Sequence, residues 1–323
     1  MRYPLFLLGQ LGRTIYKRMV RAGARHVPFL GKDRNRQLER WLRGREDWRK
    51  LQLADAVVVS FGKSGRTWLR VLLSRVYQLQ HGLSERAVIG FDNLHHLTGA
   101  VPRIMFTHDN YVKDYTGHSE TKEDFYDKKV IFLARDPRDV AVSQYFQWKY
   151  RMRPNKKDIN AYPTEDLTPF EFVMLDAGLP KVIDFMNLWA REAAKIHDFM
   201  IVRYEDLRAA PQATLARLLE FLGTPATEAQ VTDAVEFASL ENMKRMEQQR
   251  VFWLSGGRLV PKDRSNPNSY KARRGKVAGY RDDFDAAQLA DIDRLVETTL
   301  DPLFGYTGVA TVAGDDRALE GVA

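Results

Sequence analysis

The stretch from Ala54 to Tyr77 restricts this chain more than any other. Ala56-Val57-Val58-Val59-Ser60-Phe61 is a short β-branched apolar run without polar alternation, the pattern of a strand buried on both faces. Gly62-Lys63-Ser64-Gly65 breaks it, and Trp68, Leu69, Leu72, Leu73, Val76 and Tyr77 then recur at helical spacing as far as His81-Gly82. The unit returns downstream. Lys129 to Ala134 is a second buried strand, Asp136 is a good N-cap, Pro137 suits the first helical position, and Val140 to Trp148 continues as helix. Phe199 to Val202 reads as another strand, followed by a helix from Pro211 to Leu222 that Gly223 stops. Strands alternating with helices predict an α/β fold, a central parallel sheet flanked by helices in three layers, with ligands at the carboxyl edge of the sheet.

Composition divides the chain. The first 50 residues hold 14 Lys and Arg against four Asp and Glu, so the remaining 273 residues net to −2 although the whole chain carries +8. We therefore expect a basic N-terminal extension over 1–50, one catalytic domain over 51–306 and a disordered tail over 307–323. From Leu5 to Val20, Leu8, Leu11, Ile15 and Met19 fall near helical spacing beside Arg13, Lys17, Arg18 and Arg21, an amphipathic pattern suited to an anionic membrane surface. A helix docked on its own domain, or a frayed tail, accounts for the same residues. The apolar run is too short to span a bilayer and no signal peptide is expected. The absence of cysteine excludes disulfides, thiolate metal sites and thiol nucleophiles, and no His/Glu cluster has zinc spacing, so no metal is expected.

The loop Ser60 to Thr67 has the chemistry of a phosphate cradle: glycines let backbone N–H groups approach an anion, a helix N-terminus points at it, and Lys63 adds a full charge. It lacks the spacing of a Walker A loop. Arg135, ending the second strand, offers a bidentate grip on phosphate, and Ser143 lies two turns into the following helix with a neutral donor. Two grips on adjacent strand ends imply a ligand with two separated phosphates. Taken alone, Arg135 is equally an ion-pair partner for Asp136, Asp139 or Glu205.

Gly62-Lys63-Ser64-Gly65-Arg66-Thr67-Trp68-Leu69 resembles the 5′-phosphosulfate loop of the cytosolic-type sulfotransferase superfamily, close to P-K-S-G-T-T-W-L, and Arg135-Asp136-Pro137-Arg138-Asp139 through Ser143 is similar to its 3′-phosphate segment R-x-P-R-D-x-x-x-S. Arg203-Tyr204-Glu205-Asp206-Leu207, Ser239 to Met243, and Arg273-Arg274-Gly275 resemble further family segments, so that the likeness runs from about Ala54 to Phe304. The resemblance implies the P-loop-like sulfotransferase fold and 3′-phosphoadenosine 5′-phosphosulfate (PAPS) as sulfuryl donor, leaving adenosine 3′,5′-bisphosphate (PAP). It places Lys63, Ser64, Gly65, Arg66, Thr67 and Trp68 at the phosphosulfate and Arg135 and Ser143 at the 3′-phosphate. Tyr204, Ser239 and Met243 fall near the adenosine, with Arg273, Arg274 and Gly275 closing over the 3′-phosphate.

His108 follows the apolar segment Arg103 to Phe106 and matches the family's K-T-H, which carries the base, so His108 and Lys63 are the expected catalytic pair. A histidine suits proton removal from an acceptor hydroxyl near neutral pH. His95 and His96 compete for that role but read as acceptor-pocket or structural residues. Three positions depart from the family pattern: Arg66 replaces a threonine, Phe106 replaces a lysine, and Ala278-Gly279-Tyr280 replaces glycine, aspartate and tryptophan. The acceptor bears a hydroxyl or amine, a glycan or glycolipid being favoured by residues 1–30 as a peripheral membrane contact. A cytoplasmic setting, or the inner face of a membrane, is expected. A homodimer is compatible with the sequence, and no nucleic acid is expected. A nucleotide kinase and a non-catalytic nucleotide binder are the alternatives; the kinase would need a Walker loop and a carboxylate for Mg²⁺ where Arg135 stands.

Overall fold

The computed structural model describes residues 27–249 and 275–308 continuously, together with Gly12, Tyr16, residues 19–24, Val251, Asp263, Asn266, Asn268 and Tyr270. Helix α1 (Gly31–Leu53) precedes β1 (Ala56–Val59), α2 (Arg66–His81) and α3 (Asn93–Thr98). Strand β2 (Ile104–Thr107) leads into α4 (Val112–Thr116), and β3 (Lys129–Ala134) into α5 (Pro137–Tyr150), α6 (Pro154–Ile159), α7 (Pro169–Met174) and α8 (Leu179–Ala193). After β4 (Asp198–Arg203) come α9 (Tyr204–Ala209), α10 (Pro211–Phe221), α11 (Glu228–Phe237), α12 (Leu240–Gln248) and α13 (Ala286–Thr299).

The four strands form one parallel sheet in the order β2-β1-β3-β4. Alternation along each strand divides the core in two. Ala56, Val58, Ile104, Ile131, Leu133 and Val202 face a layer that includes Leu69, Leu72, Leu73 and Val76 of α2 and Leu215, Leu218 and Leu219 of α10. Val57, Val59, Met105, Val130 and Phe132 face the opposite layer, with Val140 and Val142 of α5, Trp189 of α8 and Ile292 of α13. The sheet is thus covered on both faces, which explains why its strands read as unbroken apolar runs. The α5 start also follows from its residues: the Asp136 side chain accepts from the Arg138 N–H and Pro137 occupies the first turn.

The boundary expected at residue 50 falls inside α1, and this helix packs on the body. Arg40 donates to Asp114 at 3.1 Å and to the carbonyls of Ile159 and Asn110 at 3.0 Å each, while Trp41 and Trp48 both lie against Tyr115 at 5.3 and 5.5 Å between ring centroids. A Cβ on Gly44 would collide with the Tyr111 carbonyl oxygen, so the close approach of α1 to α4 requires glycine there. Upstream, Arg21 forms an ion pair with Glu46 of α1. Leu8, Leu11, Ile15, Arg13, Lys17 and Arg18 of the amphipathic segment lie outside the described residues, as does 309–323 of the tail. Among the described residues no helix is long and apolar enough to cross a membrane. The polar, proline-punctuated segment 153–169 contains α6, which Pro154 starts.

Candidate active site

Because all four strands run the same way, their carboxyl ends share one edge, and the four connections leaving it are 60–65, 108–111, 135–136 and the start of α9 at Tyr204. They line a cleft of about 880 Å³. Lys63, Gly65, Arg66, Thr67, Trp68, His108, Arg135, Ser143, Tyr204, Met243 and Gly275 all border it. Two expected residues do not. Ser64 is buried beneath the loop, and the Ser239 side chain caps α12 by accepting from the Asn242 N–H at 3.4 Å. Arg273 and Arg274 lie outside the described residues.

The loop has the form of an anion cradle. Lys63 sits at φ 79° and Gly65, the residue preceding α2, at φ 90°, and no side chain caps the exposed N–H groups of that helix. Gly65 is required twice over: its φ favours glycine, and a Cβ there would meet Tyr204 Cδ2 at 2.6 Å. Tyr204 closes the loop from above, edge-on to Trp68 at 5.7 Å, with its hydroxyl donating to the Gly275 carbonyl at 3.5 Å. The Trp68 indole N–H donates to the Ala238 carbonyl at 2.9 Å, so its ring forms part of a fixed wall.

Arg135 forms an ion pair and also borders the cleft. Its guanidinium pairs with Asp139 at 3.2 Å, donates to the carbonyls of Lys63 and Lys276 at 3.2 Å, and lies 4.4 Å from the centre of the Tyr204 ring. Its Nε is buried and makes no hydrogen bond among the described residues, leaving one donor of a fixed fork unspent at the cleft wall. An unspent guanidinium donor, uncapped helix N–H groups and a left-handed loop turn make a site whose chemistry fits a bis-anionic nucleotide.

His108 stands across the loop. Its Nδ1 is 2.8 Å from the Ser60 carbonyl, which accepts only from a protonated Nδ1; the other nitrogen, Nε2, then carries the lone pair and receives the Arg66 guanidinium at 2.5 Å. Burial, then the neighbouring Arg66 charge, holds the imidazole well below the ordinary histidine range. The following residue is held equally firmly: Asp109, in the left-handed region at φ 50°, accepts from Lys122 at 2.6 Å, both side chains being buried. This pair anchors the turn that presents His108. It carries no motif, because lysine and aspartate 13 positions apart read as two solvated charges until the fold joins them.

Arg66 therefore contacts the imidazole. Phe106 lies under the Arg70 guanidinium, 3.6 Å from its ring centre, with Arg70 donating to the Ile89 carbonyl at 2.7 Å. Tyr280 is buried against α5, its N–H donating to Asp139 at 2.9 Å. His95 bonds the Val101 carbonyl and His96 pairs with Asp92; neither borders the cleft. Beyond His108 the cleft continues past Gln144, Tyr111, Asn160 and Tyr162, with the Gln144 amide donating to the Tyr162 hydroxyl at 2.8 Å. Gln144 and Lys181 went unmarked in the sequence, since a lone glutamine or lysine on a helix carries no signal. Among the described residues no cluster of three or more acidic or histidine side chains could hold a metal.

A family model described as a sulfotransferase domain matches residues 53–304. Cytosolic sulfotransferase 13 of Arabidopsis thaliana is 26% identical over 278 residues, covering 78% of this chain and 78% of that protein. Among solved structures, retinol dehydratase in complex with retinol and PAP superposes with a TM-score of 0.52 at 20% identity, covering 83% of this chain and 87% of that one. A mouse sulfotransferase complexed with PAP gives 0.50 at 19% identity, over 76% and 83% of the two chains. At these identities the structural likeness establishes the fold.

Proposed function

The chain belongs to the sulfotransferase family, and from that membership we propose that it moves a sulfuryl group from PAPS to the hydroxyl of an acceptor held beyond His108. The observation that supports this most directly is that the phosphate loop and His108 open onto one cleft from neighbouring strand ends. The nucleotide supplies the activated sulfuryl group; the protein's part is to position it, neutralise charge and remove a proton, as in phosphoryl transfer. Lys63 and the first N–H groups of α2 hold the phosphosulfate end and offset charge on the departing phosphate. Arg135 and Ser143 hold the 3′-phosphate, while Tyr204 and Met243 flank the adenosine.

His108 takes the acceptor proton at Nε2. The Ser60 carbonyl keeps the opposite nitrogen protonated and so fixes the tautomer, while burial and Arg66 keep the ring neutral and able to accept. For this step Arg66 must yield Nε2 to the acceptor hydroxyl, and the sulfonate oxygens are the natural anionic target for the displaced guanidinium. The far end of the cleft, with Tyr111, Tyr162, Asn160 and Gln144, suits a polar acceptor such as a glycan or glycolipid.

Calorimetric titration with PAP and with ATP, on the wild type and on Lys63→Ala and Arg135→Ala, tests the donor site. The expected result is tight PAP binding that falls by at least tenfold in each variant. Preference for ATP would instead support a kinase, and PAP binding without transfer to any acceptor would leave a binder.

A further inference from the structure

Two amide side chains at the acceptor end of the cleft are used differently. Asn160 spends both ends of its amide: the oxygen accepts from the Tyr111 hydroxyl at 3.3 Å and the nitrogen donates to the Lys156 carbonyl at 2.9 Å. Gln144 spends one. Its nitrogen donates to the Tyr162 hydroxyl at 2.8 Å, and among the described residues nothing donates to its oxygen, Oε1. The Tyr162 hydroxyl accepts this bond and gives its own proton to no described residue. Gln144 and Tyr162 both border the cleft.

Both side chains are held in place. Gln144, only 6% exposed, follows Ser143 directly on α5. The Tyr162 ring stacks on Phe172, with 6.3 Å between ring centroids at 11°, and Lys181 Nζ lies 4.8 Å from its centre. The setting of the amide oxygen relative to the proposed base is fixed by Gly62. A Cβ added there would lie 3.3 Å from Gln144 Oε1 and 4.0 Å from His108 Cε1. The oxygen and the imidazole edge therefore border one space, and glycine at the head of the phosphate loop leaves it unfilled.

A buried glutamine that served packing alone would spend its oxygen as Asn160 does. An oxygen that only accepts, bonded through its own amide to a hydroxyl with a proton to give, matches the two hydrogen-bonding halves of an alcohol. Resting on the proposed sulfuryl transfer, we propose that the acceptor carries a second hydroxyl on the carbon next to the reacting one. While His108 takes the proton of the first, Gln144 Oε1 accepts from the second and the Tyr162 hydroxyl donates to it. Adjacent carbons are required because the imidazole and the amide oxygen border the same space. Gln144 is then the residue that selects 1,2-diols over isolated alcohols, since a site built to bond a hydroxyl rejects the analogue that lacks it.

Probes that differ only in the second hydroxyl test this on the full chain saturated with PAP. They are catechol against phenol, and trans-cyclohexane-1,2-diol against cyclohexanol; 2-methoxyphenol keeps the second oxygen of catechol but not its proton. Titration calorimetry is expected to show the diol of at least one pair binding about fivefold or more tightly, the worth of one net hydrogen bond. With 2-methoxyphenol the gain should vanish, because Oε1 can only accept. The preference should fall to within about twofold in Gln144→Leu and be reduced in Tyr162→Phe, while Gln144→Glu, which still accepts, should keep most of it. Should Gln144→Leu fail to fold, Tyr162→Phe and 2-methoxyphenol decide the matter. Equal affinity within both pairs, absence of binding by either member included, would mean that solvent alone meets the amide oxygen and overturns the inference. So does a preference that survives Gln144→Leu or Tyr162→Phe undiminished, or one that 2-methoxyphenol shares. All these results leave PAP binding standing, whereas failure of the unmodified protein to bind PAP would overturn the donor reading on which the inference rests.

Discussion

At the scale of single residues, the pairing of Arg66 with His108 makes a distinctive prediction. The imidazole is depressed by burial and by Arg66, so the acidic limb of kcat against pH should fall below the ordinary histidine range near 6.5. In Arg66→Thr the cationic contribution disappears while burial remains, so the limb should move upward without reaching that of a free histidine. His108→Gln should lower kcat by about 10²–10⁴-fold and abolish the limb. A limb at the same pH in Arg66→Thr would mean that another group sets it. The same shift bears on stability. The unfolded chain binds this proton more readily than the folded one, so the neutral histidine's contribution is complete above about pH 6.5 and declines as the pH falls toward the lowered folded value.

At the scale of elements, α1 shows how a segment that is basic in composition becomes part of a domain. Its charges are spent on carboxylates, Arg43 on Glu39 and Lys50 on Glu46 and Asp47 within the helix, and Arg40 on Asp114 of α4. What docks it is the absence of a side chain at Gly44, which lets the helix backbone meet Tyr111. Gly44→Ala should therefore destabilise the fold by about 1–3 kcal/mol, since the added methyl faces a backbone carbonyl that cannot rotate away. Gly23→Ala, where a Cβ would meet nothing within 4 Å, should leave the melting temperature unchanged or slightly raised. Equal melting temperatures for Gly44→Ala and the wild type would show that α1 docks loosely. Since α4 follows directly on the His108–Tyr111 turn, the docking of α1 also bears on the base, which links a stability defect here to a loss of activity.

For the whole molecule, the governing fact is that four parallel strands deliver their carboxyl ends to one edge, where the described cleft lining carries nine Lys and Arg side chains against Asp47 and Asp139. A chain whose charge outside its first 50 residues nets to −2 thus concentrates positive potential in one concavity. The association rate of PAP should fall steeply between about 0.01 and 0.15 M salt, as the Debye length shortens from about 30 to 8 Å. Dissociation should change far less. Stopped-flow measurement of the two rates checks this, and a salt-independent association rate would mean that the cations are screened by ion pairs of their own.

Much of this architecture was legible in the residues alone. Unbroken β-branched runs such as Ala56–Val59 can be satisfied only inside a covered parallel sheet, and the Gly-Lys-Ser-Gly break placed the phosphate loop because backbone exposure and helix start are local properties. The resemblance to sulfotransferases rested on such local segments, and the family match over 53–304 agrees with it. Long-range juxtaposition was not legible. That Arg66 meets His108 across 42 positions, that Lys122 holds Asp109, and that Lys181, Arg151 and Lys156 border the same cleft follow from strand order and helix docking. Local sequence sets φ, hydrogen-bonding capacity and burial preference residue by residue. Which charges face one another, and hence what the cleft attracts and how its histidine titrates, is decided only when the folded chain brings distant segments together.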